Sequence, residues 1–283
     1  MLLTNNLNLH PIILKAMEVN IQKPNPYYIR CTELLSPPLI KSLMIKHWDE
    51  IQQDISELAW STFGTATHSL FERLHLPGMI QALGMEATLS GQKIKGTLDV
   101  LDFKTKEILD FKTSSVWKVV YKDYEKFEQQ LNIYRWMALH YNIKIDKLTA
   151  ILILKDWRSR DAKSSTGNYP QSPIMNFNAP VWPLEQTQKF IEERIKVYQM
   201  QPLTVCTPAE RWEKVTYAVM QLGKKRALVN GVKNSYEEAK QYMVNQIVPN
   251  LTIEKRGGTP LRCLEYCPVK DYCAFGKKLV AKE

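Results

Sequence analysis

The sequence predicts an α/β protein with a mixed central sheet flanked by helices, and three observations carry that expectation. Segments of helical spacing and segments of strand character alternate in the order helix, strands, helix, strand, helix. Residues 148–154, LTAILIL, form a short continuous apolar run that suits a buried central strand. Residues 83–112 read as a strand meander, with Val100, Phe103, Ile108, Leu109 and Phe111 set around the polar turn Lys104-Thr105-Lys106.

The elements follow in order. Residues 1–30 are mixed and carry Pro11, Pro24 and Pro26, which predicts a partly extended N-terminal arm. Thr32 is placed to N-cap a helix that Pro37 and Pro38 interrupt. Trp48, Ile51, Ile55 and Leu58 recur at helical spacing and predict a helix over 45–61. Residues 62–75, with Gly64 and His68, form another. After the meander, 124–141 reads as an amphipathic helix with Phe127, Leu131, Tyr134 and Ala138 on one side. Residues 156–169 are polar and turn-rich, a surface loop, and 184–200 is a further helix. The character then changes. The expected organisation is an arm over 1–30, a core over 31–202, and a C-terminal subregion over 203–283 holding a basic segment and a cysteine cluster.

A chain of 283 residues supplies one large domain, or one domain with an appendage. No run approaches the ~18–20 apolar residues of a membrane helix. The start lacks a basic region followed by an apolar one, so the expected compartment is the cytoplasm. A net charge of +9 favours a polyanionic partner and equally serves solubility. Five cysteines, an odd count, do not read as a disulfide framework in a reducing compartment.

The chemistry concentrates in residues 96–112, GTLDVLDFKTKEILDFK. Two adjacent strands can bring Asp99 and Asp110 together. Asp110 and Lys112, two residues apart on a strand, point the same way. Two carboxylates and an ammonium can hold a divalent ion and orient a water, which is the equipment for cutting a phosphodiester. Asp102, three residues from Asp99, faces away.

The motifs Gly64-x-x-x-His68, Gly96-x-x-Asp99, Asp110-x-Lys112 and Gln130-x-x-x-Tyr134 occur in that order. The set resembles the RecB-like branch of the PD-(D/E)XK nucleases, which includes AddB-type and CRISPR-associated members. TELLSPP at 32–38, KDW at 155–157, NYPQSP at 168–173, CTPAERW at 206–212 and YAVMQLGKKRAL at 217–228 are similar to segments of phage RecB-like exonucleases. The resemblance spans almost the whole chain. It implies the restriction-endonuclease-like core and a metal-dependent DNA exonuclease serving phage or bacterial recombination or processing. An endonuclease of the same fold, such as a junction resolvase or an end-trimming enzyme, and a non-catalytic DNA-binding subunit are the alternatives.

The resemblance also implies roles. Asp99, Asp110, His68 and the Phe111 carbonyl would ligate Mg²⁺ or Mn²⁺. Lys112 would orient water and stabilise charge, since two neighbouring carboxylates oppose a base role. Gln130 and Tyr134 would brace the site or contact DNA, with Glu72 and Glu86 as further acids. Thr113, Ser114 and Ser115 offer hydroxyls to phosphate. Lys224, Lys225 and Arg226, near Trp212 and Tyr217, offer a DNA-tracking surface. Cys206, Cys263, Cys267 and Cys273 would form an all-thiolate centre, either a [4Fe–4S] cluster or structural Zn²⁺, with Cys31 as the alternative fourth ligand. A helicase or a single-strand annealing protein is the expected partner beyond DNA.

Overall fold

The computed structural model describes every residue except Asn20, Thr166 and 281–283, and omits the side chain of Val280. Contacts divide the chain into two units, Met1–Leu203 and Thr204–Glu283.

The first unit begins with β1 (Leu2–Thr4), α1 (Pro11–Glu18), β2 (Ile29–Arg30), α2 (Cys31–Leu34), α3 (Pro38–Lys46) and β3 (Gln52–Asp54). The first thirty residues therefore contain regular structure and group with the rest of this unit. β1 pairs in parallel with β3. Arg30, not Thr32, caps α2, and the Glu33 carboxylate accepts the Arg30 N–H at 2.7 Å. The helix expected over 45–61 is broken. It ends at Lys46, and β3 and a 3₁₀ turn at Ile55–Leu58 follow. Ile51 and Ile55 are still buried, so the apolar spacing reported burial correctly and the element wrongly. A strand partner fifty residues away overrode the local helical period.

Asp54 fixes that break. Its carboxylate accepts the Asn6 N–H at 2.7 Å, the Ser56 hydroxyl at 2.6 Å and N–H at 3.0 Å, and the Thr4 hydroxyl at 3.1 Å. These bonds, the Asn6 N–H first, hold its pKa down to about 2. The stabilisation is therefore present above the ordinary carboxylate value of ~3.9 and lost as pH falls toward about 2. The amide protection factors of β1 are expected to fall over that window, and Asp54→Ala should show the lowered protection at every pH.

α4 (Ala59–Glu72), β4 (Met79–Leu89), β5 (Gln92–Asp102) and β6 (Glu107–Ser114) come next. The β4–β5 hairpin turns through Ser90 at φ 49° and Gly91 at φ 74°, the left-handed pair a two-residue hairpin requires. α5 (Val116–Val120), α6 (Glu125–Leu139), β7 (Lys147–Leu154), α7 (Ser159–Ser164), β8 (Ile174–Asn178) and α8 (Leu184–Gln199) complete the unit. α7 occupies part of the segment expected to be a loop; Thr166 lies outside the described residues.

The sheet runs β2-β5-β6-β7-β8, with β4 paired to β5. β7 lies parallel to β6 over eight residue pairs and antiparallel to β8, so the sheet is mixed and LTAILIL is internal to it. Leu98, Leu101, Ile108, Leu131, Met137, Leu148 and Leu152 form the centre of the core.

The second unit holds β9 (Thr216–Gln221), β10 (Ala227–Lys233), α9 (Tyr236–Val244), β11 (Leu251–Arg256) and α10 (Ala274–Val280). Its antiparallel sheet has the order β10-β9-β11, with Ala218, Val219 and Ala239 buried. Among the described residues no helix is long and apolar enough to cross a membrane.

Candidate active site

β5 is the strand on which the site turns. One edge is shared: β2 pairs at Ile94 and Lys95, and β6 pairs only from Val100 to Asp102. Residues 96–99 between them have no strand partner on that edge. On the other edge the β4 ladder skips the Ala82–Asp99 pair, and Ala82 sits at φ 50°, a conformation alanine rarely adopts. Asp99 thus stands at a fork in the sheet.

Its carboxylate spans the fork. Oδ2 accepts the Phe111 N–H at 2.7 Å and lies 3.1 Å from His68 Nδ1 on α4. The ring of Phe71, one turn beyond His68, stacks on Phe111 with centroids 3.7 Å apart and planes 2° apart, which seats α4. The bond to Asp99 raises the pKa of His68 above the ordinary value, against the opposing effect of burial. Gly64 does not supply close packing, since a Cβ there would meet the Thr113 hydroxyl at an ordinary 3.4 Å.

Alternation along β6 aims Asp110 and Lys112 at the face where α6 lies, and Phe111 at the face of α4. Asp110 is 2% exposed. Its Oδ1 accepts from Gln130 Nε2 at 3.2 Å, and that amide also donates to Tyr134 Oη at 3.1 Å. Lys112 Nζ lies 2.6 Å from Oδ2. Oδ2 is otherwise buried without a partner, and its contact with the ammonium is short but poorly aligned. Burial raises the pKa of Asp110, although Lys112 pulls the other way. Burial alone would lower Lys112, yet the Asp110 and Asp99 carboxylates hold it above the ordinary lysine value. Lys112 is a fixed cation.

Behind this line sit two residues whose roles the sequence left obscure. The Cys31 thiol is buried, points at the Gln130 carbonyl at 3.9 Å, and is pushed up in pKa by burial. A Cβ on Gly96 would fall 2.7 Å from Tyr134 Cε1 and 3.2 Å from Cys31 Cβ. Gly96 lets the tyrosine reach Gln130; its place three residues before Asp99 was the available signal.

Other expected residues are committed elsewhere. Asp102 accepts the Lys104 N–H and the Thr105 N–H and hydroxyl, closing the β5–β6 turn. Glu86 is exposed and paired with Lys95 at 3.0 Å and Lys93 at 3.6 Å, and those lysines lower its pKa. Glu72 ends α4. Ser115 N-caps α5 and donates to Asp156 at 2.6 Å, Ser114 is buried, and Thr113 is half-buried.

In the second unit, Cys206, Cys263, Cys267 and Cys273 are electrostatic neighbours, and burial raises Cys206 to about 11. Cys31 belongs to the core of the first unit, whereas Cys206 lies in the same unit as the C-terminal three. Lys224, Lys225 and Arg226 form the exposed turn between β9 and β10. Trp212 packs on Tyr266, with centroids 5.3 Å apart.

As the side chains stand, no three His, Cys, Asp or Glu among the described residues converge closely enough to hold a metal ion. The donor chemistry at the fork nevertheless fits a hard divalent cation: two carboxylates and an imidazole, with one buried carboxylate oxygen that has no well-aligned partner.

The sequence matches the family description of the PD-(D/E)XK nuclease superfamily over residues 41–274. With that match over most of its length, and with the acid, acid and lysine on adjoining strands of a mixed sheet, the chain belongs to this superfamily. No curated protein matches it. Among solved structures, it is similar to the crystal structure of SSO0001, at 17% identity and a TM-score of 0.45, over 71% of this chain and 88% of that one. It is also similar to a phage-related exonuclease from Haemophilus somnus 129PT, at 12% identity and a TM-score of 0.39, over 61% of this chain and 92% of that one.

Proposed function

We propose that this nuclease is a metal-dependent deoxyribonuclease that degrades DNA from an end, in recombination or end processing. The observation that carries the reading is the buried Asp110–Lys112 pair, braced by Gln130 beside the Asp99–His68 contact. Asp99, Asp110, His68 and the Phe111 carbonyl would hold Mg²⁺ or Mn²⁺. Such an ion polarises a phosphodiester and lowers the pKa of water. The chain's own residues do the rest. Lys112 remains charged and faces the phosphate, so it stabilises the negative charge that grows as water adds to phosphorus and the ester P–O bond breaks. A base role would need a depressed pKa, and its two carboxylates act in the opposite direction. Gln130 and Tyr134 hold the Asp110 carboxylate in one orientation.

The test is cleavage of end-labelled linear single- and double-stranded DNA beside closed circles, in Mg²⁺, Mn²⁺ and EDTA, with Lys112→Ala as control. Metal-dependent loss of linear DNA alone, reduced about 10²–10³-fold in the variant, is expected. Cleaved circles would reassign the enzyme as an endonuclease. A preparation that binds DNA and cuts nothing would make it a binding subunit.

Cys206, Cys263, Cys267 and Cys273 lie in one unit and influence one another electrostatically, although no three of them converge as the side chains stand; on that placement rests a second proposal, a cysteine-bound centre of iron–sulfur or zinc type. Elemental analysis of anaerobically purified protein should find iron with sulfide, or zinc, and Cys263→Ser should release it. Protein free of both metals with four titratable thiols would reject the centre.

A further inference from the structure

A groove of about 670 Å³ opens on the first unit beside the fork, and the mechanism above makes no use of it. Its wall includes Tyr28, Arg30, Lys95, Thr97, Tyr134 and Tyr141. That volume falls within the ~300–1,000 Å³ of ligand clefts, but the lining is polar, aromatic and cationic rather than apolar.

Two features tie the groove to the site, and a third sets its charge. Gly96 and Thr97, in its wall, belong to the run of β5, unpaired on one edge, that ends at Asp99. Tyr134 shows one side to the groove and bonds Gln130, the brace of Asp110, with its hydroxyl. The cations stand on one side, where β2 runs parallel to β5 and pairs Arg30 with Lys95.

The groups are held in place. Lys41 donates to the Tyr28 carbonyl at 2.5 Å and to Glu33 at 2.8 Å, which fixes the backbone carrying the Tyr28 ring. Lys95 Nζ lies 5.1 Å from that ring's centre. Arg30 donates to the Gln22 side chain at 2.8 Å. Glu86 is the acid in the lining, and Lys93 remains beside it if Lys95 turns to another anion. An aromatic ring with two cations beside an open groove matches a nucleotide, which presents an anionic phosphate and a flat base.

We propose that this groove is a nucleotide subsite: it takes the nucleotide beside the scissile phosphate, with Arg30 and Lys95 on the backbone phosphates and the Tyr28 ring against the base. The proposal rests on the nuclease reading for the identity of the strand.

The test is the binding of a fluorescein-labelled ten-nucleotide single-stranded DNA in EDTA, followed by anisotropy across a potassium chloride series. Against wild type, Arg30→Ala/Lys95→Ala should flatten the log–log salt dependence by about 1.4, the counterion release of two phosphate contacts on a single strand. Tyr28→Ala should weaken binding about tenfold with the slope unchanged. In Mg²⁺ both variants should raise KM more than they lower kcat. Arg30→Gln and Lys95→Gln, made singly, should each remove half the slope and serve if the double variant misfolds. Wild-type slope and affinity in variants with unchanged melting would overturn the subsite while wild-type cleavage leaves the nuclease standing. A wild type that cuts nothing, but whose binding slope the variants flatten, would establish the subsite and sink the nuclease reading.

Discussion

Asp110→Asn should abolish cleavage, by about 10²–10³-fold or more, and leave the protein at least as stable as wild type at neutral pH. The two effects have one cause. Asp110 is 2% exposed, and burial raises its pKa even after the attraction of Lys112 is counted. A carboxyl whose folded pKa lies above its unfolded value of ~3.9 binds more protons folded than unfolded. Stability is therefore lost as pH rises from the unfolded pKa through the folded one. Asparagine keeps the shape and the bond from Gln130 without the charge. The melting temperatures of variant and wild type should coincide near pH 4 and separate above it, the variant higher. A variant that melts lower at pH 7 would show that the Lys112 pair outweighs desolvation. Both variants remove the counter-charge of Lys112, but Asp110→Ala should be the less stable, because it strands Gln130 as well.

Gly96→Ala is the second large effect, and it touches no catalytic group directly. The new Cβ would lie 2.7 Å from a ring carbon of Tyr134, which is 4% exposed, so the ring or the strand has to shift. Overpacking of this kind costs about 1–3 kcal/mol. When the tyrosine shifts, the Gln130 amide that bonds both it and Asp110 moves with it. A displacement near ~1 Å in such a brace is worth about 10²-fold in rate. Single-turnover cleavage and thermal melting measure the two losses separately. Tyr134→Phe, which keeps the ring and removes only the hydroxyl, should show the smaller loss in both. Equal losses from the two variants would mean that the hydroxyl, and not the packing, carries the effect.

The parts of the site that were legible in the sequence are those governed by short periods. Asp110 and Lys112 share a face because a strand repeats every two residues, and Gln130 meets Tyr134 because a helix returns after four. The order of strands and helices followed from the same periods. Pairings between distant segments were not legible. Ile51 and Ile55 kept a helical spacing while β1, fifty residues away, drew the chain between them into a strand. Cys31 was weighed as a metal ligand; its burial against Gln130 and Gly96 depends on how β2 and α6 meet β5, which no local pattern encodes. The hydroxyls of Ser114 and Ser115 illustrate the same limit: one is buried, and the other is engaged by Asp156, just past the end of β7.

The fork around Asp99 has a consequence for motion. Most residues of a sheet can shift only by breaking ladder bonds, and such openings approach the free energy of global unfolding. Asp99 lacks a ladder pair on either edge, and its opposite number Ala82 is held in an unfavourable backbone conformation. Its side chain can therefore be released by giving up the Phe111 N–H bond, without breaking a ladder pair. On the proposed nuclease reading, the acid that adapts to each arriving and departing phosphate would sit where rearrangement leaves the rest of the ladder intact.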